Sequence, residues 1–189
     1  MNKERHFIIH KPYGYLSQFI TNQTKRKKKM LGELYDFPEG TMAIGRLDYT
    51  SEGLLFLTTN GKVSQEIRSS KYEKEYYVQL DGVITEEAIQ QLKKGVEIGF
   101  EGKKYTTKPS SAKIISNPQF PLRSQKIRDD RHGPTSWISL IIREGKFRQV
   151  RKMTAAVGYP TLRLVRTRIG TITIENLKNG EVKEVDQLL

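Results

Sequence analysis

The chain has 189 residues, with 33 Lys and Arg against 21 Asp and Glu, which gives a net charge of +12. This length suits one domain over residues 1–189, built as two packed halves with enough core to fold without staples. The absence of cysteine excludes a disulfide framework, thiol catalysis and Cys-ligated zinc. The excess positive charge indicates a polyanionic partner, and nucleic acid fits best.

The N-terminal half is predicted to alternate short strands with turns and small helices. His6–His10 is rich in Phe and Ile and predicts a strand, although its apolar run is too short for a signal peptide or a membrane span. We therefore expect a cytoplasmic protein that does not bind membranes. In chain order, the pattern then predicts a turn at 11–14, a basic loop at 21–29, a short helix at 30–36, strands at 42–47 and 53–59, a tight turn at 60–61 and a helix at 63–68.

The C-terminal half contains the clearer periodicities. In residues 74–80 Tyr76, Val78 and Leu80 alternate as on a strand, and Thr85 is predicted to cap a helix that ends at Gly95. The remaining predictions are strands at 96–100 and 107–115, a long functional or mobile loop at 116–135, a strand at 137–142 buried on both faces, a helix at 146–157, a strand at 161–169 and a hairpin at 179–180. This order of elements predicts an α+β fold.

Two of these elements carry more detailed predictions. In the helix at 146–157, the residues spaced to face inward are Phe147, Val150, Thr154 and Val157. In the strand at 161–169, the residues expected to share one face are Leu162, Leu164, Arg166 and Arg168.

The segment GRLDYTSEGLLFLTTNG, residues 45–61, contains the strongest candidate for chemistry. Asp48 is a single carboxylate that follows Arg46 and precedes an apolar strand. The chain has only three histidines and lacks a phosphate-binding glycine loop, so few other groups could catalyse a reaction. The alternative interpretation of Asp48 is an ordinary turn cap.

Four segments in this order resemble a known family: GRLDYTSEGLLFLTTNG, KEYYV, EGKFRQVRKM and GYPTLRLVR. They are similar to the pseudouridine synthases of the RsuA and RluA-related superfamily, and most closely to the large-subunit rRNA synthase E subgroup. The resemblance covers nearly the whole chain. Since no S4-type RNA-binding domain precedes the first strand, target recognition is expected to rest on the catalytic domain and its basic loops.

The resemblance implies a fold, a reaction and a partner. The fold would be a mixed, mainly antiparallel central sheet with flanking helices and loops, with the catalytic cleft along the sheet. The reaction would convert a specific uridine to pseudouridine in rRNA, and in 23S rRNA in particular, after the base is flipped out. Asp48 would attack C1′ of the ribose or remove a neighbouring ribose proton, and the sequence leaves both roles open.

The same resemblance implies roles for four further residues. Arg151 would keep Asp48 ionised, and Tyr76 would stack on the uracil and transfer a proton at C5. Leu164 would close the other side of the base, and Arg46 would fill the space that the flipped base leaves. Each has a simpler interpretation: Arg151 as a solvated helix cation, Tyr76 and Leu164 as core residues, and Arg46 as a phosphate contact.

The remaining cations are predicted to contact the RNA backbone. They are Lys25, Arg26, Lys27, Lys28 and Lys29, which form a phosphate-binding arm, together with Arg148, Lys152 and Arg166. We predict no metal and no organic cofactor, structured large-subunit rRNA as the partner, and a monomer. The competing hypothesis is a non-catalytic RNA-binding or ribosome-assembly factor on the same fold.

Overall fold

The computed structural model describes residues 4–20, 28–69, 72–128 and 130–189. The strands are β1 (His6–Lys11), β2 (Tyr15–Leu16), β3 (Lys29–Met30), β4 (Met42–Ile44), β5 (Glu52–Thr58), β6 (Lys74–Asp81), β7 (Glu97–Phe100), β8 (Lys103–Thr106), β9 (Ser111–Ile115), β10 (Thr135–Ile142), β11 (Thr161–Ile169), β12 (Ile172–Thr173) and β13 (Val182–Val185). The helices are α1 (Gly61–Arg68), α2 (Glu86–Lys94) and α3 (Gln149–Ala156). Single turns of 3₁₀-helix occupy Leu31–Glu33 and Asp130–His132.

The molecule is organised around one mixed sheet. Its strand order is β13-β1-β5-β11-β6-β10-β9, with β4 paired to β5 and β12 paired to β11. Among these pairs in the described chain, only β5 and β11 run parallel. The predicted α+β class and mainly antiparallel mixed sheet are therefore confirmed.

Both faces of the sheet bury apolar side chains. Every residue of β5 is buried, which explains why residues 54–57 at its centre are a continuous apolar run instead of an alternating one. Leu55 and Leu57 belong to a core that includes residues of α2 and α3, whereas Leu54 and Phe56 belong to a second core that includes Ile67 of α1. The central strands are thus fixed from both sides, and they hold the loops at their ends in place.

The parallel junction between β5 and β11 explains a glycine in the segment 45–61. Gly53 has φ of +113°, and a Cβ there would lie 2.3 Å from the carbonyl oxygen of Arg166. Next to it, Glu52 accepts two hydrogen bonds from the guanidinium of Arg163, at 2.9 and 2.7 Å, and both side chains are buried. Gly53 therefore allows the two strands to approach closely, and Glu52 ties them together through its ion pair with Arg163.

Several helix and strand predictions need correction at their ends. The turn expected at 60–61 is the start of α1, because the Asn60 side chain accepts from the backbone of Lys62 and caps the helix. The cap predicted at Thr85 is confirmed. The strand expected at 42–47 ends at Ile44, the helix at 30–36 is only a 3₁₀ turn, and the strand expected at 107–115 begins at Ser111, after the separate strand β8.

The predicted helix at 146–157 begins three residues late. Arg148 has a left-handed backbone with φ of +52°, so the helical conformation starts at Gln149. Phe147 consequently lies outside the helix and is 66% exposed, although its spacing predicted an inward position. The 3.6-residue periodicity could not reveal this, because the backbone leaves the helical conformation just where the pattern begins.

Two predictions about the C-terminal strands are also wrong. β11 has a register shift between Arg166 and Arg168, so Leu164 and Arg166 line one cavity while Arg168 lines another on the opposite face. A turn does occur at 179–180, but the strand after it pairs with β1 and forms no hairpin with the strand before it. A bulge and a long-range pairing both escape a period-two pattern.

The segment 116–135 packs against the sheet through specific contacts. Phe120 contacts the rings of Tyr77 and Trp137, and the guanidinium of Arg163 lies 5.5 Å from the centre of its ring. Arg128 forms an ion pair with Asp81 at the end of β6. The described part of this loop is therefore attached along one side of the sheet.

Candidate active site

The loop that carries Asp48 is fixed by hydrogen bonds at both ends. Ser17 is buried, and its hydroxyl donates to the carbonyl of Leu47 at 2.8 Å and accepts from the Leu47 amide at 3.0 Å. The amide of Gly14 donates to the carbonyl of Tyr49 at 2.9 Å, and the amide of Ser51 donates to the carbonyl of Asp48 at 3.0 Å. The backbone on either side of Asp48 is therefore held by Gly14, in the turn that follows β1, and by Ser17, which directly follows β2.

Two arginines contact the carboxylate of Asp48. Arg148 Nη1 lies 3.2 Å from Asp48 Oδ2, and Arg151 Nε lies 3.7 Å from the same oxygen. The side chain of Arg151 is 12% exposed and that of Arg148 is 42% exposed. Since two cations share one carboxylate, the group as a whole has a net positive charge, which suits an anionic substrate.

Arg151 also joins the helix α3 to the Asp48 loop. Its Nη2 donates to the carbonyl of Thr50 at 3.2 Å and to the hydroxyl of Ser51 at 3.1 Å. Burial and the positive charge of Arg148 lower the pKa of Arg151 from its ordinary value, while Asp48 acts in the opposite direction. Arg151 is thus a positioning group for the loop as well as a counter-ion.

A cavity of about 250 Å³ opens beside Asp48. Its walls include Tyr76 and Leu164, which are 8% and 5% exposed and come from the neighbouring strands β6 and β11. Arg46 contributes from the rim, where its side chain is exposed. The cavity thus combines one carboxylate, one aromatic ring and an apolar wall, a lining that fits a planar ligand.

Arg166 is deeper in this cavity than a contact to the RNA backbone would require. It is 4% exposed, and its Nε donates to the carbonyl of Leu54 at 2.7 Å. Its Nη2 has no hydrogen-bond partner among the described residues. A buried donor of this kind is costly to leave unpaired, so Arg166 is suited to a polar atom of a ligand inside the cavity.

The structure adds residues that the sequence did not single out. Lys74 lines the cavity, and burial together with the charge of Arg166 lowers its pKa. Lys11 is fully buried, and burial lowers its pKa to about 7, although Glu52 and Asp48 oppose this. Ser17 holds the Asp48 loop, as described above. Only Lys74 had a sequence signal, since it begins the KEYYV segment that contains Tyr76.

The cations that are predicted to contact the RNA backbone lie in different parts of the structure. The ammonium of Lys152 donates to the carbonyl of Gly99 at 2.6 Å, away from the residues that line the cavity. Lys28 and Lys29 lie over the rings of Tyr49 and Tyr15, at 5.6 and 5.4 Å from the ring centres. The first three members of the predicted arm, Lys25, Arg26 and Lys27, lie outside the described residues.

The described residues contain neither a metal-binding cluster nor a membrane-spanning helix. In the described part of the chain, no three His, Asp or Glu side chains come close enough together to hold a metal ion. No helix within those ranges is long and apolar enough to cross a membrane.

The mixed sheet described above is the fold of an enzyme that isomerises uridine in RNA. Residues 5–156 match the model of the family described as RNA pseudouridylate synthase. The chain belongs to this family, and the isomerase class expected from the sequence is confirmed.

Relatives and solved structures agree with this placement. The chain is 41% identical over 185 residues to ribosomal large subunit pseudouridine synthase E of Vibrio vulnificus, covering 96% of this chain and 76% of the relative. It is 39% identical over 173 residues to the protein of the same name from Xanthomonas axonopodis pv. citri, covering 90% and 88%. A crystal structure of pseudouridylate synthase superimposes with a TM-score of 0.76 at 27% identity, covering 98% of this chain and 71% of that one.

Proposed function

We propose that this protein converts a uridine of large-subunit rRNA to pseudouridine, with Asp48 acting at the ribose. The names of the relatives support the choice of rRNA, since two proteins at 41% and 39% identity are ribosomal large subunit pseudouridine synthases. The observation that carries the role of Asp48 is its position at a cavity with Tyr76 and Leu164, in contact with two arginines.

The reaction needs no external electron donor or group carrier. The bond between N1 and C1′ breaks, the uracil turns within the cavity, and a bond forms between C5 and C1′. The proton on C5 leaves and N1 gains one, so substrate and product have the same atoms. Asp48 assists the first step either by attacking C1′ or by removing a ribose proton.

The uracil is held between two walls while it turns. The ring of Tyr76 stacks on one face, and its hydroxyl relays the proton from C5. Leu164 covers the other face, and the Nη2 donor of Arg166 is available for a carbonyl oxygen of the base. The burial of Tyr76 and Leu164 supports this assignment, because a detached base that is enclosed between them can turn without escaping into solvent.

The target nucleotide leaves its helical stack before the reaction. Swinging out a paired base costs a few kcal/mol. Arg46 offsets part of this cost by inserting its planar guanidinium where the base had been. The exposure of Arg46 at the cavity rim supports this role, because an inserting group must extend beyond the protein surface.

The proposal is tested by mapping pseudouridine in rRNA before and after treatment with purified protein. The RNA comes from cells that lack this protein, so the missing site also identifies the target. We expect the wild-type protein to restore one pseudouridine and Asp48→Asn to restore none, while Asp48→Asn binds the rRNA with an affinity within a few fold of wild type.

The matched control is Asp36→Asn, which removes an exposed carboxylate that does not line the cavity. It is expected to convert uridine at the wild-type rate. Full turnover by Asp48→Asn would remove Asp48 from the mechanism. If wild-type protein binds rRNA and converts no uridine, the protein is a binding or assembly factor and the enzymatic proposal fails.

A further inference from the structure

A pair of tyrosines lies on the outer side of the Asp48 loop, apart from the cavity. The ring centres of Tyr13 and Tyr49 are 6.2 Å apart, with the planes inclined by 55°. A cation lies over each ring: the guanidinium of Arg123 is 4.5 Å from the centre of Tyr13, and the ammonium of Lys28 is 5.6 Å from the centre of Tyr49. We call these four residues the tyrosine platform.

The tyrosine platform is adjacent to the candidate catalytic carboxylate. Tyr49 directly follows Asp48, and its carbonyl accepts from the Gly14 amide at 2.9 Å, which joins it to the turn that carries Tyr13. Arg123 and Tyr13 are also close enough to Arg151 for their charges to influence its pKa. An RNA strand whose target nucleotide enters the cavity must therefore pass close to the platform.

The two rings are not part of either hydrophobic core. Tyr49 is 37% exposed and Tyr13 is half-buried, and neither belongs to the clusters on the two faces of the sheet. The platform is nevertheless a built arrangement, because the Tyr13 hydroxyl donates to Gln125 in the same loop that supplies Arg123. Four separate segments of chain thus converge on a surface whose rings belong to neither core.

Exposed aromatic rings beside cations match the chemistry of single-stranded nucleic acid. A nucleobase stacks on an aromatic side chain whatever its sequence, while the neighbouring phosphates pair with Lys or Arg. A flat protein partner would not require a cation at each ring, whereas a polyanion without bases would not require the rings.

From this arrangement we infer that the tyrosine platform stacks an unpaired base of the RNA, next to the nucleotide that enters the cavity. Lys28 and Arg123 contact the phosphates on either side of that base. The inference rests on the proposed function, since it assumes that RNA approaches Asp48. In this arrangement the tyrosine platform positions the RNA strand, and the residues inside the cavity carry out the reaction.

The test measures binding without turnover, so it does not depend on catalysis. The probes are a fluorescently labelled octamer of adenylate and an octamer with the same sugar-phosphate backbone in which every base is replaced by hydrogen. Fluorescence anisotropy gives the Kd of each at one salt concentration. We expect wild-type protein to prefer the octamer with bases, and Tyr49→Leu to lower its affinity for that octamer about tenfold.

The expected change is specific to the bases and to the ring. Tyr49→Leu should bind the octamer without bases as wild type does, and Tyr49→Phe should keep wild-type affinity for both. Tyr35→Leu is the matched control, because Tyr35 is 39% exposed and has no contact with the platform. Thermal unfolding of each variant verifies that it is folded.

Two outcomes would overturn the inference. If Tyr49→Leu weakens binding of both octamers equally, the rings only support the cations, and the surface recognises phosphates alone. If Tyr49→Leu binds both octamers as wild type does, the platform does not contact RNA. Neither outcome bears on the proposed isomerisation, because the probes contain no uridine, whereas a loss of pseudouridine formation in Asp48→Asn says nothing about stacking.

Discussion

At the scale of single residues, the two arginines on Asp48 differ in burial and are expected to differ in effect. Arg151 is the more buried and also holds the loop through Thr50 and Ser51, whereas Arg148 is partly in solvent. We expect Arg151→Met to lower the single-turnover rate about 100-fold, because a preorganised charge next to the proposed catalytic carboxylate is removed. Arg148→Met should lower it about fivefold or less, as for an exposed ion pair.

Rate constants measured with saturating protein, together with the Kd for rRNA, separate the two effects. Arg148→Met should mainly weaken binding, since its exposed guanidinium can reach a phosphate as well as Asp48. Arg151→Lys is the matched control, because it keeps the charge but cannot make the same hydrogen bonds to the loop. A larger decrease in rate for Arg148→Met than for Arg151→Met would contradict this order of importance.

Lys11 provides a pH-dependent prediction at the same scale. Its ammonium is fully buried and donates to the carbonyls of Pro12 and Tyr15, and burial lowers its pKa from 10.5 to about 7. Between these two values the unfolded chain binds more protons at this residue than the folded chain does. The free energy of unfolding therefore rises as the pH increases from about 7 to 10.5, by at most about 5 kcal/mol.

Other lysines and tyrosines also titrate in this range. The contribution of Lys11 is therefore obtained as the difference in the free energy of unfolding between wild type and a variant without this lysine. We expect the free energy of unfolding of wild type, relative to that of Lys11→Met, to increase between about pH 7 and about pH 10. Urea unfolding at several pH values gives both curves. Parallel curves over that range would show that the pKa of Lys11 is not lowered in the folded protein.

At the scale of the elements, the contact between β5 and β11 places the two halves of the site. Glu52 and Arg163 form a buried, doubly hydrogen-bonded ion pair across this contact, and Arg163 also donates to the carbonyl of Pro121. β5 follows the Asp48 loop directly, while β11 carries Leu164 and Arg166 into the cavity. The Glu52–Arg163 ion pair therefore connects the strand that follows Asp48 to the strand that supplies the cavity wall with Leu164 and Arg166.

Removing one partner of this pair is expected to be more harmful than removing both. We expect Arg163→Met to lower the free energy of unfolding by about 3–5 kcal/mol, because Glu52 is left as an uncompensated buried charge. The double variant Glu52→Met and Arg163→Met should recover at least half of this decrease. Urea unfolding measures both, and a double variant less stable than Arg163→Met would contradict the argument.

The elements also show where sequence patterns succeed and where they fail. The strand at 161–169 is predicted with its observed bounds, because Gly158 and Pro160 end the preceding helix and the segment that follows is rich in β-branched and apolar residues. The bulge within it is not predicted, and neither is the late start of α3 at Gln149. The first is a register shift against β6 and the second follows from the left-handed backbone at Arg148, and side-chain periodicity carries no information about either.

At the scale of the whole molecule, the net charge of +12 predicts strong and salt-dependent binding to RNA. Replacing Lys25, Arg26, Lys27, Lys28 and Lys29 with Gln should weaken binding to RNAs of any sequence. It should also reduce the slope of log K against log salt by about 0.7 for each phosphate that the protein no longer neutralises. Filter binding at several salt concentrations measures the slope.

The control replaces Lys62, Lys178 and Lys183 with Gln, since these lysines are exposed and do not line the cavity. It should leave the slope close to that of wild type. A change in which uridine is modified, at unchanged affinity and slope, would contradict a purely electrostatic role for the arm.

The sequence by itself determined the class of fold, the family and the identity of the candidate carboxylate. These rest on local patterns and on segments such as 45–61, where the order of residue types along the chain is enough. The four residues Asp48, Tyr76, Arg151 and Leu164 could be proposed from such segments alone. Their roles in catalysis remain predictions that the experiments above test.

Only the tertiary structure decided how distant residues meet. Asp48 and Arg148 are separated by 100 positions, yet the pairing of β5 with β11 and the start of α3 bring their side chains to 3.2 Å. In the same way, the hydrogen bonds of Ser17 to Leu47 and of Gly14 to Tyr49, and the ring contact of Tyr13 with Tyr49, form only where residues 13–17 pack against the Asp48 loop. The physical reason is that burial, hydrogen bonding and pKa depend on neighbours in space, which one-dimensional periodicity does not specify.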